Sequence, residues 1–391
     1  MTSSSIRTAT RTHSFTESVI REMTRVAREH DSINLAQGFP DFPAPELIKE
    51  AACAAIRADV NQYAITWGTS NLRHALAEKY GAFYGMDVDT EREITVTCGA
   101  TEAMAAVMLA TVNPGDEVIV LEPFYENYGP DAVLSQAKPV FLPLEAPEYR
   151  LDRAHLESVV TEKTRAIVLN TPNNPTGRVF DREELQAVAD VCREHDILAI
   201  TDEIYEHILY EGEHHVLATF EGMRERTIVI SGLSKTFSVT GWRVGTIIAP
   251  PDLSVAIRKV HDFLTVGAPA PLQEACAVGI RELGPEYYEG MVEGYRARRS
   301  VLVDALREAG FKCAPPQGAY YVLADFSDLS DEDDVVFSKR LASEGGVAPV
   351  PGSSFFSQPE RGRRFVRFVF CKQIETLQAA GAKLKEFAAD L

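Results

Sequence analysis

Lys235 stands in ISGLSKTFSVTGWRV, where a run of β-branched residues gives way to a polar loop, and Arg243 follows eight residues later. Two other apolar runs end in a similar way. TDEIY places Asp202 and Tyr205 three residues apart, and TPNNPTG sets Asn174 between Pro172 and Pro175. A lysine amine can condense with an aldehyde and, once freed, carry a proton. A buried carboxylate can keep a pyridine nitrogen protonated, so that the ring accepts electrons from a carbanion. The phenol of Tyr205 and the amide of Asn174 can donate to an anionic ring oxygen. An arginine, hydroxyls and a helix N-terminus suit a phosphate. Singly, each residue has a plainer reading: Asp202 could cap a helix, Lys235 could be a surface cation, and Asn174 could be a turn residue. Together, at the ends of successive apolar runs, they describe a site for pyridoxal 5'-phosphate.

Such a site needs a scaffold, and the stretch from Glu93 to Pro250 supplies one. Seven short runs read as strands: EITVTCG, EVIVLEP, KPVFLPL, RAIVLNTP, LAITDEIY, TIVISGLS and RVGTIIAP. Near-continuous Val, Ile and Leu bounded by turns mark strands covered on both faces. A helix is expected after Asp181, with Glu184 at capping-box spacing and an apolar stripe at Leu185, Val188, Ala189 and Cys192. The expectation is an α/β protein, its mostly parallel seven-stranded sheet having helices on both faces. In such sheets ligands bind at the carboxyl ends of the strands. After Pro251 the pattern turns helical, with a long helix over about Glu286–Ala309. Strands are expected at Gly318–Asp325 and Phe365–Cys371, and helices at Asp334–Ser343 and Ile374–Phe387. The division expected is an N-terminal arm and packing segment (1–45), a large cofactor-binding domain (46–280) and a small α+β domain (281–391).

Composition narrows the function. The 391 residues are 45% hydrophobic and 25% charged, a globular profile, and no apolar stretch is long enough to span a membrane. With 39 basic and 57 acidic residues the net charge is −18, and no basic cluster suggests nucleic acid. The acidic run Asp331–Asp334 reads as a solvated helix start. Cys53, Cys98, Cys192, Cys276, Cys313 and Cys371 form no CxxC pair, which points to reduced thiols and a cytoplasmic location. His207, His214 and His215 lie in EHILYEGEHH, read as a solvated loop in preference to a metal site. The first sixteen residues lack acids and read as a disordered arm in preference to a transit peptide. No G-x-G, P-loop, G-x-S-x-G or H-E-x-x-H occurs, which excludes the dinucleotide, P-loop, esterase and zincin fingerprints.

NTPNNPTG, TDEIY and SGLSKTFSVTGWRVG in combination resemble the fold-type I, class I/II aminotransferases over nearly the whole chain. LAQGFPDFPAPE and FVRFVFC are similar to the kynurenine, glutamine and methionine branch. The resemblance implies that Lys235 holds the cofactor, Asp202 pairs with the pyridine nitrogen, and Tyr205 and Asn174 bond the ring oxygen. It implies phosphate contacts from the amides of Ala100 and Thr101 in GATEA and from Arg243, with Tyr125 stacked on the ring. The plainer reading of Tyr125 is a core aromatic. Arg367 would grip the substrate α-carboxylate, Asn174 would contact the substrate as well as the ring, and Gly38 would close backbone over the substrate. Tyr63 would reach the phosphate of a neighbouring subunit, implying a homodimer with shared sites; the alternative is a core aromatic within its own chain. Many members have a serine three residues before the lysine. Gly232 stands there in this chain, which leaves Ser231 or Ser234 to supply the hydroxyl. No second arginine matches a receptor for a distal carboxylate. The implied activity moves the amino group of an L-amino acid (aromatic, sulfur-containing or glutamine-like) to a 2-oxo acid such as 2-oxoglutarate. A β-lyase acting on cysteine S-conjugates is the alternative, since both reactions begin with the same carbanion. A cofactor-binding regulator would need a DNA-binding segment, and the residues ahead of Leu35 are too few for one.

Overall fold

A computed structural model describes residues 8–391. Of the segment read as a disordered arm, residues 1–7 lie outside the described residues, while Thr10–His13 form a 3-10 turn. The seven expected strands all form: β1 (Ile94–Thr97), β2 (Glu117–Glu122), β3 (Lys138–Pro143), β4 (Thr164–Asn170), β5 (Leu198–Asp202), β6 (Thr227–Gly232) and β7 (Gly245–Ile248). They make one sheet in the order β1-β7-β6-β5-β4-β2-β3. Only β7 runs against its neighbours; the other pairs are parallel.

Alternate residues of one strand enter different cores, which is why the strand sequences are apolar throughout. In β2, Val118 and Val120 pack under the helices Ala100–Thr111 and Pro251–Thr265. Ile119 and Leu121 pack instead with the helix Arg182–Glu194. That helix starts at the expected capping box: Asp181 accepts from the amide of Glu184 at 2.9 Å, and Glu184 accepts from the amide of Asp181 at 3.0 Å. Glu184 also takes the Arg178 guanidinium at 2.7 Å and the Leu151 amide at 3.0 Å.

Strand register delivers the functional segments to one edge. Asn170 lies beside Asp202, and Asp202 beside Ile230, so the loops after β4, β5 and β6 leave the sheet together. Because β7 is antiparallel, its first residue, Gly245, pairs with Thr97 at the end of β1 and with Gly232 at the end of β6. Arg243 and the start of the helix Ala100–Thr111 therefore join the same edge.

The C-terminal unit has an antiparallel sheet in which Phe365–Val369 lies between Tyr321–Asp325 and Val350–Pro351. The helices Pro285–Glu308, Asp334–Ser343 and Ile374–Ala389 cover it. The N-terminal chain packs here too, Ile33–Asn34 pairing with Val347–Ala348. Two sequence expectations need correction. Asp333 caps its helix, but Asp334 is buried and accepts from the Ser353 amide at 2.6 Å, so the acidic run is not a wholly solvated helix start. His207 is buried and His214 bonds Glu203 at 2.8 Å, so the histidine segment is not a solvated loop. Asp181→Ala removes a cap while keeping helix propensity, and should cost about 1 kcal/mol in denaturant unfolding. An unchanged midpoint would show that the other partners of Glu184 suffice.

Candidate active site

A cavity of about 420 Å³ opens at the carboxyl edge of the sheet, a size suited to a small cofactor and substrate. Its lining includes Lys235, Asp202, Tyr205, Asn174, Ala100, Thr101, Tyr125, Ser234, Arg243, Gly38 and Arg367. Ser231 and Tyr63 are not among them.

Asp202 ends β5 and is buried. Burial pushes its carboxyl up to about 6, while the Tyr128 hydroxyl, donating at 2.7 Å, and the Ile204 amide pull the other way. Lys235 sits in the single turn Leu233–Thr236 after β6. Burial pulls its amine down to about 8, and its Nζ donates to the carbonyl of Gly38 at 3.3 Å. Tyr320 donates to the same carbonyl at 3.0 Å. Gly38 must be a glycine here, because a Cβ would lie 2.6 Å from the Tyr321 hydroxyl. Tyr205 shares a 2.6 Å hydrogen bond with Tyr321. Tyr125 lines the cavity edge-on to Tyr128, their ring centres 5.9 Å apart.

One corner of the cavity is built for an anion. The helix Ala100–Thr111 begins there, and its first amides have no acceptor within the helix. Arg243 approaches so closely that a Cβ on residue 99 would lie 2.2 Å from its Nη2; Gly99, at φ 84°, fills that position. Ser234, Thr240 and Gly241 complete the corner. Ser231 does not take part, which corrects the expectation for it. Its hydroxyl is buried and donates to Glu206 at 2.6 Å. Of the two serines, Ser234 alone faces the cavity.

The opposite wall carries Arg367, fully buried, its guanidinium carbon 4.6 Å from the Tyr321 ring centre and 5.0 Å from that of Phe355. Its Nη1 donates to Asn174 at 2.8 Å and its Nη2 to the carbonyl of Ala36 at 2.5 Å, while Nε has no partner among the described residues. A buried donor left open in this way suits a carboxylate. Ser18, Ile20, Arg21, Gln37 and Phe39 of the N-terminal segment line the mouth with Glu126. Motif matching did not single out Arg21, Tyr128, Tyr320 or Tyr321. Tyr63 is 88% exposed, so it is not a core aromatic of its own chain. The residues present fit pyridoxal phosphate: an amine, a buried carboxylate, phenol and amide donors, and an anion corner lie in one cavity.

Comparison with known proteins agrees with this geometry. Residues 30–380 match the family described as aminotransferase class I and II. Over 94% of this chain and 95% of the relative, 38% of residues are identical to methionine aminotransferase of Escherichia coli (strain K12). Human kynurenine–oxoglutarate transaminase 1 is 36% identical over 95% of this chain and 96% of its own. The solved structure of N-succinyldiaminopimelate aminotransferase from Mycobacterium tuberculosis matches with a TM-score of 0.94 and 37% identity, covering 97% of this chain and 99% of that one.

The buried amine sets a pH dependence. Lys235 has a folded value of about 8 against 10.5 when free, so the unfolded chain binds the extra proton. The resulting penalty is complete below pH 8 and disappears as the pH rises to 10.5. Lys235→Met should therefore stabilise the cofactor-free protein at pH 7, by at most about 3 kcal/mol. The gain should shrink above pH 8 in a series of unfolding curves. A gain independent of pH would show that the amine is not desolvated.

Proposed function

The chain belongs to the class I and II aminotransferases, and from that premise we propose a transaminase of broad L-amino-acid range that passes the amino group to a 2-oxo acid such as 2-oxoglutarate. One observation carries the site assignment: Lys235, Asp202 and Arg367, from three distant parts of the sequence, line a single cavity. Pyridoxal phosphate, the cofactor of this family, supplies an aldehyde for the lysine and an electron-poor ring that holds the carbanion's electron pair.

The chain's own residues do the rest. Arg367 takes the substrate α-carboxylate, its guanidinium packed over the rings of Tyr321 and Phe355. That grip fixes the substrate Cα against Lys235, whose lowered basicity makes the neutral amine that accepts the Cα proton far more accessible near neutral pH than in a free lysine. The ionised Asp202 favours a protonated ring nitrogen, and Tyr205 and Asn174 donate to the ring oxygen. Arg243, Ser234 and the amides of Ala100 and Thr101 hold the phosphate. Gly38 closes the substrate side with its backbone.

At the mouth, Arg21 and Glu126 cancel in charge, which supports neutral side chains over a strict dicarboxylate preference. The relatives named for methionine and kynurenine support sulfur-containing and aromatic donors. The reading includes a cytoplasmic location, supported by six free cysteines. It also includes a homodimer with shared sites. Tyr63, exposed on its own chain, would complete the partner's phosphate corner, and the neighbouring Ile65 is also half exposed.

Two measurements test this. A panel of L-methionine, L-kynurenine, L-glutamine and L-aspartate against 2-oxoglutarate and pyruvate should show transfer from several neutral donors, with Lys235→Ala lowering every rate by at least ~10³-fold. Release of pyruvate and ammonia from a cysteine S-conjugate, without transfer from any donor, would point to elimination instead. In the second, Lys235→Ala is mixed with a chain whose Tyr63 is replaced by glutamate. If each site takes its lysine from one chain and its tyrosine from the other, hybrid dimers hold one intact site and activity partly returns. No recovery in a sample shown by mass measurement to contain hybrids would refute sharing.

A further inference from the structure

The turn after β5 divides its side chains between two environments. Asp202 and Tyr205 line the cavity, whereas Glu203 and Glu206, one position further on in each case, are buried behind it. Glu206 accepts from Lys79 Nζ at 2.5 Å, from the Tyr84 hydroxyl at 2.5 Å and from the Ser231 hydroxyl at 2.6 Å. Lys79 and Tyr84 belong to the helix Ser70–Tyr84, and Ser231 lies in β6, four residues before Lys235. Glu203 accepts from Thr201 Oγ1 at 2.7 Å and pairs with His214 Nε2 at 2.8 Å.

The side chains of Lys79 and Glu206 are 3% and 1% exposed. Burial opposes the charge on Glu206, but the groups around it, Lys79 foremost, together outweigh burial and hold the carboxyl well below its usual range. His207 adds no charge, since burial pulls its ring down to about 3; it packs against Phe83 and Tyr288. A buried ion pair contributes little net stability compared with apolar packing of the same volume. What it supplies is direction, because hydrogen bonds fix a turn in rotation as well as in depth. Here the bonds join the Tyr205 turn to the strand that leads into Lys235.

We propose that Glu206, with Glu203 beside it, is a positioning residue for the reaction. Its carboxylate fixes the turn from behind, so that Asp202 and the Tyr205 hydroxyl meet the cofactor ring in register with Lys235. Without it the turn keeps its backbone bonds but loses its rotational setting, and a displacement near 1 Å costs about 10²-fold in rate. The proposal rests on the assignment of Asp202 and Tyr205 to the ring.

The test uses holoenzyme carrying Glu206→Ala with Lys79→Met, a pair that leaves no buried charge unmatched. Cofactor affinity, the pH midpoint of the bound cofactor's visible absorbance, kcat, KM and the thermal midpoint of the stripped protein are measured. Affinity should weaken roughly tenfold and kcat should fall more than KM changes. The absorbance midpoint should rise, because a ring oxygen that loses a donor holds its proton more tightly. A thermal midpoint lowered alone, with affinity and absorbance midpoint as in the parent, would overturn the proposal. Should the double variant fail to fold, Tyr84→Phe and Ser231→Ala each remove one bond to Glu206. Both should raise the absorbance midpoint, and parental values in both would overturn the role. Asp202→Asn serves as the control: unchanged turnover there would sink the underlying assignment. A slow Asp202→Asn beside a parental double variant would sink only the positioning role.

Discussion

The register of three parallel strands is the constraint on which the site depends. Asn170, Asp202 and Ile230 lie side by side, so three loops written far apart in the sequence leave the sheet on one line. A slip of one residue would turn every strand side chain to the other face and carry Asp202 into the opposite core. Two dissimilar cores, one under the helix Ala100–Thr111 and the other under Arg182–Glu194, oppose such a slip. Precision at the site is thus a consequence of packing on both faces of the sheet, at a distance from the chemistry.

That scaffold holds groups that the protein alone accommodates poorly. Burial raises the carboxyl of Asp202 and lowers the amine of Lys235, and no ion pair joins them. Arg367 keeps a buried nitrogen without a partner among the described residues. Each mismatch corresponds to a complementary part of the expected ligands: a protonated ring nitrogen for the carboxylate, an aldehyde for the amine, a carboxylate for the guanidinium. The cavity is therefore least satisfied when empty, which favours tight cofactor binding over storage of a stripped enzyme.

Much of this was legible in the sequence. The seven strands declared themselves by unbroken Val/Ile/Leu runs, and the helix after Asp181 by its cap, since both signals are local. Lys235, Asp202 and Asn174 stood out because each lies at or just past the end of an apolar run, and Arg243 because it opens the next one. Ser231 was misassigned for a definite reason: β6 is covered on both faces, so it lacks the polar–apolar alternation that would tell which way a residue points. His207 and His214 were misread because a polar segment looks solvated until its partners are known. Tyr128 and Tyr321 were missed because they act on residues 74 and 116 positions away, and no local pattern marks such a contact.

The mouth of the cavity has a separate origin from its floor. Ser18, Ile20, Arg21, Gln37 and Phe39 belong to the N-terminal segment, whereas Asp202, Lys235 and Arg243 come from the sheet edge. Substitutions in that segment leave the strand register and the buried turn untouched, and the Val19–Glu29 helix is anchored chiefly by Ile20, Met23 and Ala27. The two stretches meet at the backbone, where the Gly38 carbonyl accepts from Lys235 and the Ala36 carbonyl from Arg367. Side chains of the leading segment can therefore vary at the opening only so far as the backbone at residues 36 to 38 keeps its course, because main-chain carbonyls rather than side chains make that junction.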